Sequence, residues 1–244
     1  MEVTPDMDHA DRLIDTAAAE VGYLEKRTNS RLDEKAANAG GGNYTRYNRD
    51  LKAWTGVGSL NAQWCQAFVD WCFITAFGVE DAKKLLYTFT NYTPTGSDAF
   101  KKRGRYIKRG AGVPRPGDVV YFYSKAKGRI GHVGIVYRVS ASKVYTIEGN
   151  ATDRVKKKSY ALKNTYIDGY GSVDYEQLGD PTRVRVTGGS VFLRVGPGIE
   201  HTALGVAHRS DTFPWLGETA ENGWQRVDHD GTPAWISGKY ARLE

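Results

Sequence analysis

A chain of 244 residues with 40% hydrophobic and 25% charged residues has ordinary globular composition, which excludes a disordered or fibrous protein. Its 15 Tyr, 6 Trp and 28 Gly favour strands, tight turns and aromatic surfaces over a helical bundle. The net charge of +6 is uneven: residues 1–175 hold 27 Lys/Arg against 19 Asp/Glu, a net +8, while residues 176–244 hold 7 against 9, a net −2. Positive charge on the first part would steer it toward a polyanion without selecting which one.

No apolar run approaches the roughly 18 residues of a membrane span, so membrane insertion is not expected. Met1 to Ala10 carries Glu2, Asp6 and Asp8 in place of a basic and then apolar leader, so no secretion signal is visible. Asp8 to Gly22 reads as an amphipathic helix, with Leu13, Ala17 and Val21 roughly on one face. Asn38 to Asn48, with Gly40-Gly41-Gly42, reads as a turn-rich loop. A second helix is expected from near Gln63 to about Phe77, and its sequence is apolar almost all round, as a buried helix would be. It contains both cysteines, Cys65 and Cys72. Seven residues apart on a helix places them about 10 Å from each other, beyond the roughly 7 Å that a disulfide allows. Two free thiols are expected.

From Pro114 the period changes. Pro116-Gly117-Asp118 is a turn signal, followed by three short β-branched and aromatic runs, Val119–Tyr123, His132–Val139 and Lys143–Glu148. Three strands joined by short turns make an antiparallel meander, so residues 1–175 read as helices followed by strands, an α+β domain. Lys156-Lys157-Lys158 reads as a solvated strand face. A polar linker is expected at 176–181. From residue 182 to 244, short strands separated by glycine turns fit a small all-β barrel.

The chemistry gathers around the second helix. A thiol at a helix start, as Cys65 would be, faces unpaired amides and the positive end of the dipole, which favours the thiolate. The same amides could hold an oxyanion. A nucleophilic thiolate needs an imidazole to protonate the leaving amine, and His132 is the candidate, flanked by Gly131 and Gly134. Period-two alternation puts Glu148 and Asn150 on one face, where either could orient that imidazole. Taken singly, Cys65 reads as a packed small hydrophobe and His132 as a structural histidine; Cys72 keeps the packing role. His9, His201, His208 and His229 sit in polar or turn-rich contexts without a partner pattern.

Four runs in order carry a resemblance: Asn61-Ala62-Gln63-Trp64-Cys65-Gln66-Ala67-Phe68-Val69, Pro116-Gly117-Asp118-Val119-Val120-Tyr121-Phe122, Gly131-His132-Val133-Gly134-Ile135-Val136 and Glu148-Gly149-Asn150. Together they resemble the CHAP family of cysteine, histidine-dependent amidohydrolases and peptidases, which have a papain-like fold and are common in phage endolysins. The resemblance implies Cys65 as nucleophile, His132 as general base and acid, and Glu148 and Asn150 as orienting groups. Several relatives bind Ca²⁺ through closely spaced aspartates upstream of the cysteine. No such cluster stands here and Asp50 is isolated, so no metal or cofactor is carried over.

The tail, with Gly188–Gly198, Gly223–Val227 and Ala234–Tyr240, resembles a bacterial SH3-like domain, although Phe192 and Val195 stand where the common pattern has Asn and Ser. The resemblance implies a wall-binding module. Trp215, beside Pro214 in an expected loop, and Tyr240 are its candidate contacts, because flat rings bind at little entropic cost. Trp224 and Trp235 are expected to fill the small core.

The function these resemblances imply is hydrolysis of an amide in bacterial peptidoglycan, as an N-acetylmuramoyl-L-alanine amidase or an endopeptidase, with teichoic acid as a further partner. The alternative is a wall-binding or adhesion protein whose cysteine domain is only a scaffold. Nucleic acid is not an expected partner, since the basic residues lack the aromatic interleaving of a single-strand binder. The absent signal fits an enzyme made in a host cytoplasm and released to the wall, or a secreted enzyme whose signal was trimmed.

Overall fold

The computed structural model describes residues 5–178 and 183–244. They divide into two compact units, Met1–Gln177 and Leu178–Glu244. The linker expected at 176–181 begins inside a short 3₁₀ turn, Tyr175–Leu178; its residues 179–181, and residue 182 at the expected start of the second module, lie outside the described residues.

The first unit opens with α1 (Pro5–Ala19), which ends three residues before the expected Gly22 and buries Leu13 and Ala17. The expected loop at 38–48 ends sooner than its composition suggests, because α2 (Arg46–Thr55) begins inside it. The signals for α2 are local: the Thr45 side chain accepts from the Asn48 N–H at 3.1 Å, and Gly56 closes the helix in the left-handed region. Next comes α3 (Cys65–Phe77), buried at every position except Thr75. Two short helices that the sequence reading left unassigned follow, α4 (Val79–Leu86) and α5 (Thr93–Lys102), the latter with Pro94 in its first turn.

The strands are β1 (Tyr106–Lys108), β2 (Val119–Ser124), β3 (Arg129–Val139), β4 (Lys143–Glu148), β5 (Lys156–Ala161) and β6 (Ile167–Gly171). They form an antiparallel sheet in the order β1-β6-β2-β3-β4-β5. The expected three-strand meander is its centre. Tyr121 meets Phe100 of α5 on one face of the sheet, while Val120, Phe122, Val136, Val144, Ile167 and Tyr170 cluster on the other. Helices packed on an antiparallel sheet make this unit α+β, as its sequence pattern implied.

The start of α3 is held by aromatic packing and two carboxylates. Tyr47 lies 5.4 Å from Trp64, 5.1 Å from Phe68 and 5.2 Å from Trp71 between ring centroids. The Trp64 indole N–H donates to Glu25 at 2.8 Å and that of Trp71 to Asp50 at 2.9 Å. Beneath them the buried Glu20 carboxylate takes the Arg46 guanidinium and the Tyr47 hydroxyl.

The second unit contains β7 (Arg183–Val186), β8 (Ser190–Arg194), β9 (Ala203–His208), β10 (Thr212–Thr219), β11 (Trp224–His229), β12 (Thr232–Ser237) and β13 (Ala241–Leu243). Its antiparallel sheet has the order β13-β7-β10-β11-β12-β8-β9 around a core of Val, Leu, Ile and Ala side chains.

Gly149, just after β4, runs directly over α3: a Cβ there would stand 2.5 Å from the Phe68 Cβ. The Gly149→Ala variant is therefore expected to lose about 1–3 kcal/mol of stability through overpacking, read as a lower denaturant midpoint. An unchanged midpoint would mean the two segments separate at no cost.

Candidate active site

Cys65 is the first residue of α3, and its neighbour Trp64 caps the helix without a side-chain hydrogen bond. The earliest amides of a helix have no carbonyl partner within it, so the thiol sits among unpaired N–H groups. His132 comes from the interior of β3, opposite Phe122 of β2, with ring centroids 5.6 Å apart. Glu148 is the last residue of β4. Gly134 lets these strands close on one another, since a Cβ at that position would meet the Glu148 Cγ at 2.6 Å.

The three side chains form a chain of contacts. His132 Nε2 lies 2.9 Å from Glu148 Oε2, and the Cys65 thiol is near enough to the imidazole to act on its protonation. With Nε2 taken by the carboxylate, Nδ1 is the nitrogen left for sulfur. Glu148 has no solvent exposure, and His132 keeps 14% of its side chain exposed. The other carboxylate oxygen, Oε1, accepts from the Thr146 hydroxyl at 2.6 Å. Lys158 Nζ stands 3.6 Å from Oε2.

Electrostatics follow from this packing. Burial alone would pull the His132 imidazole down, but its hydrogen bonds to Cys65 and Glu148 and their charges more than reverse that, raising it to about 9. Burial pushes Glu148 up, and the hydrogen bond from His132, helped by Thr146 and Lys158, overcomes it and leaves the carboxyl below its ordinary value. At neutral pH the arrangement is imidazolium against carboxylate. Cys72 has a different setting: it is fully buried two turns along α3, and burial, with Glu20 nearby, pushes its thiol well up. Both cysteines are free thiols.

Asn150 is placed elsewhere. β4 ends at Glu148 and Asn150 turns into the left-handed region at φ 54°, so the expected strand alternation does not reach it. Its side chain donates to Gln63 Oε1 at 3.1 Å and to Asn43 Oδ1 at 3.5 Å. The Gln63 amide also donates to Asn43 at 3.3 Å, forming a group of three carboxamides just before Cys65. Glu25, which sequence reasoning missed, joins this group to the helix start, because one oxygen takes the Trp64 indole and the other the Asn43 N–H at 3.2 Å. Thr146 was legible as the same-face neighbour of Glu148. Lys158 was not, since its place depends on strand register. His9 departs from its expected polar context: it is buried, stacked at 6.3 Å on Tyr175 and edge-on to Phe77 at 6.1 Å. Among the described residues, no group of three or more His, Cys, Asp or Glu side chains could hold a metal ion, and no helix is long and apolar enough to cross a membrane.

A family model for the CHAP domain matches residues 56–150, a span that contains Cys65, His132, Glu148 and Asn150. A model for the bacterial SH3 domain matches residues 189–241. The chain joins a CHAP domain to a bacterial SH3 domain. That pairing supports a peptidoglycan hydrolase. Among solved structures, the chain is similar to the crystal structure of Ly7917, at 14% identity and a TM-score of 0.41 over 96% of this chain and 97% of that one. It is also similar to NlpC2 from Trichomonas vaginalis, at 6% identity and a TM-score of 0.24 over 57% of this chain and 47% of that one. No curated protein matches it.

In the SH3 domain, Tyr240 is 41% exposed and, with Phe192, Ile199, Arg194 and Trp224, lines a groove of about 220 Å³. Trp215 lies within β10 and not in a loop; its ring packs partly buried against the core, and its indole N–H donates to the Glu218 carbonyl at 3.2 Å.

The His132 imidazole gives a direct electrostatic test. Because its folded value is raised from 6.5 to about 9, the stability it contributes is complete below its unfolded value and is lost as pH rises through about 9. An NMR titration of His132 is expected to show a midpoint near 9, and Glu148→Gln should return it toward 6.5. A midpoint near 6.5 in the parent would contradict the charged pair.

Proposed function

We propose that this protein hydrolyses an amide bond of bacterial peptidoglycan with Cys65 as nucleophile and His132 as proton carrier, while its SH3 domain holds it on the wall. The observation that carries the reading is the single imidazole bonded to the buried Glu148 carboxylate, with the Cys65 thiol at the start of α3 close enough to interact with it. A thiolate paired with an imidazolium can attack a carbonyl carbon without first finding a base.

In the acylation step the Cys65 sulfur forms a bond to the carbonyl carbon, and the oxygen takes the negative charge. The backbone N–H at the start of α3 is suited to hold that oxygen. As the C–N bond breaks, imidazolium gives its proton to the departing amine, leaving a thioester and a neutral His132. Water then attacks the thioester, His132 accepts its proton, and the acid product leaves as the thiolate reforms. Glu148 stays ionised, holding the ring through Nε2. Asn150, bonded to Gln63 two residues before the nucleophile, would help to order the approach to it.

The bond cut is either the one from muramic acid to L-alanine, which makes the protein an amidase, or one within the stem peptide or cross-bridge, which makes it an endopeptidase. Tyr240, in the groove of the SH3 domain, is the favoured wall contact over Trp215, whose ring is engaged by the core. The net +8 of residues 1–175 would add attraction to teichoic acid at low salt. Acting on walls from within a host cell or after secretion, such an enzyme would be bacteriolytic.

Purified wall suspensions test the reading. The parent chain should clear them and Cys65→Ala should not, with activity falling by at least about a thousandfold for loss of a covalent nucleophile. Mass analysis of the released fragments would show which new termini appear. Equal clearing by the parent and Cys65→Ala would overturn the enzymatic reading.

A further inference from the structure

The three successive lysines of β5 do not share one role. Lys156 and Lys158 stand opposite Glu148 and Thr146, whereas Lys157 stands opposite Ile147. Residues directly opposite on paired strands project from the same face, so Lys156 and Lys158 leave the sheet on the side of Glu148. Lys157 leaves on the other, where its ammonium lies 5.0 Å from the Tyr137 ring. Lys156 donates to the Thr152 hydroxyl at 3.0 Å.

Lys158 is placed differently. Its side chain is 40% exposed, and its ammonium lies 3.6 Å from Glu148 Oε2, longer than the roughly 3.2 Å limit of a good N–H···O bond. Both Glu148 oxygens already have closer partners in His132 and Thr146. The ammonium therefore lends its charge to the carboxylate and keeps its N–H groups for another acceptor.

Beside it lies an aromatic floor. Tyr166 stacks on Phe122 at 4.7 Å and is 37% exposed. Tyr160 is 5.0 Å from Phe122, and the Lys158 ammonium lies 5.2 Å from the Tyr160 ring. Phe122 itself packs against His132. Stacked rings and a cation with donors to spare thus adjoin the imidazole. That combination of surfaces suits a group with an apolar stem and a negatively charged end.

We propose that Tyr166 and Lys158 form a subsite for a carboxylate-bearing peptide segment next to the scissile amide, the ring supporting the chain and the ammonium binding the carboxylate. The subsite rests on the hydrolase reading above. A half-exposed ammonium gives a modest charge-assisted contact, so it sets a preference among substrates and does not supply the chemistry.

The test uses the full chain and two soluble muropeptides that are identical except that one stem carboxylate is free in the first and amidated in the second. The parent should favour the acid by about fivefold in kcat/KM, expressed in KM. Lys158→Met should bring that ratio near one, and Lys158→Arg should keep most of it. An unchanged ratio in Lys158→Met overturns the subsite. So does a fall in kcat that is equal for both peptides and accompanied by a shifted pH profile, because the ammonium would then serve Glu148 alone. If the parent clears wall suspensions but cuts neither peptide, the subsite is overturned and the hydrolase reading stands; if it does neither, the hydrolase reading fails and the subsite fails with it.

Discussion

A carboxylate without any contact with solvent is tolerated only where the surrounding groups replace water, and Glu148 sets that condition for the first unit. Its replacements come from three strands: His132 from β3, Thr146 from β4 itself and Lys158 from β5. Meeting them requires β3, β4 and β5 in their observed register, and it requires Gly134 to leave room for the acidic side chain. The imidazole satisfied in this way is charged at neutral pH, with the Cys65 thiol beside it.

The other half of the geometry belongs to α3. Its almost uniformly apolar sequence forces it inside, and a buried helix whose first residue is Cys65 brings the sulfur to the edge of the sheet where β4 ends. Glu25 and Asp50 hold the indoles of Trp64 and Trp71, so the helix start cannot drift without breaking hydrogen bonds to these two carboxylates. Cys72, on the same helix, meets only interior packing. Position along one helix separates a thiol with an imidazole from one without. For the proposed function, tethering by the SH3 domain would raise the effective concentration of an insoluble substrate.

Much of this was legible in residue types and spacing. The apolar run from near Gln63 to about Phe77 announced a buried helix, the turn at Pro116-Gly117-Asp118 announced the strands, and His132 and Glu148, read as one candidate pair, do meet. What escaped depends on pairing between distant segments. The lysines at 156–158 looked like one solvated run because their alternation between faces is set by β4. Asn150 looked like a neighbour of Glu148 because the end of β4, and the left-handed turn after it, have no strong local signal. Glu25 carries no motif at all, since its importance comes from two partners 18 and 39 residues away. Trp215 looked like a loop residue beside proline, but Pro214 pairs within β10 opposite Arg183.

The proposed function requires His132 to hold the Cys65 sulfur in its reactive state. Alkylation of the native protein with iodoacetamide at neutral pH, with the modified cysteine located by mass spectrometry, tests it most directly. The account predicts rapid modification of Cys65, none of Cys72, and loss of the rapid reaction in His132→Ala. Slow modification of Cys65 at the same rate with and without His132 would contradict it.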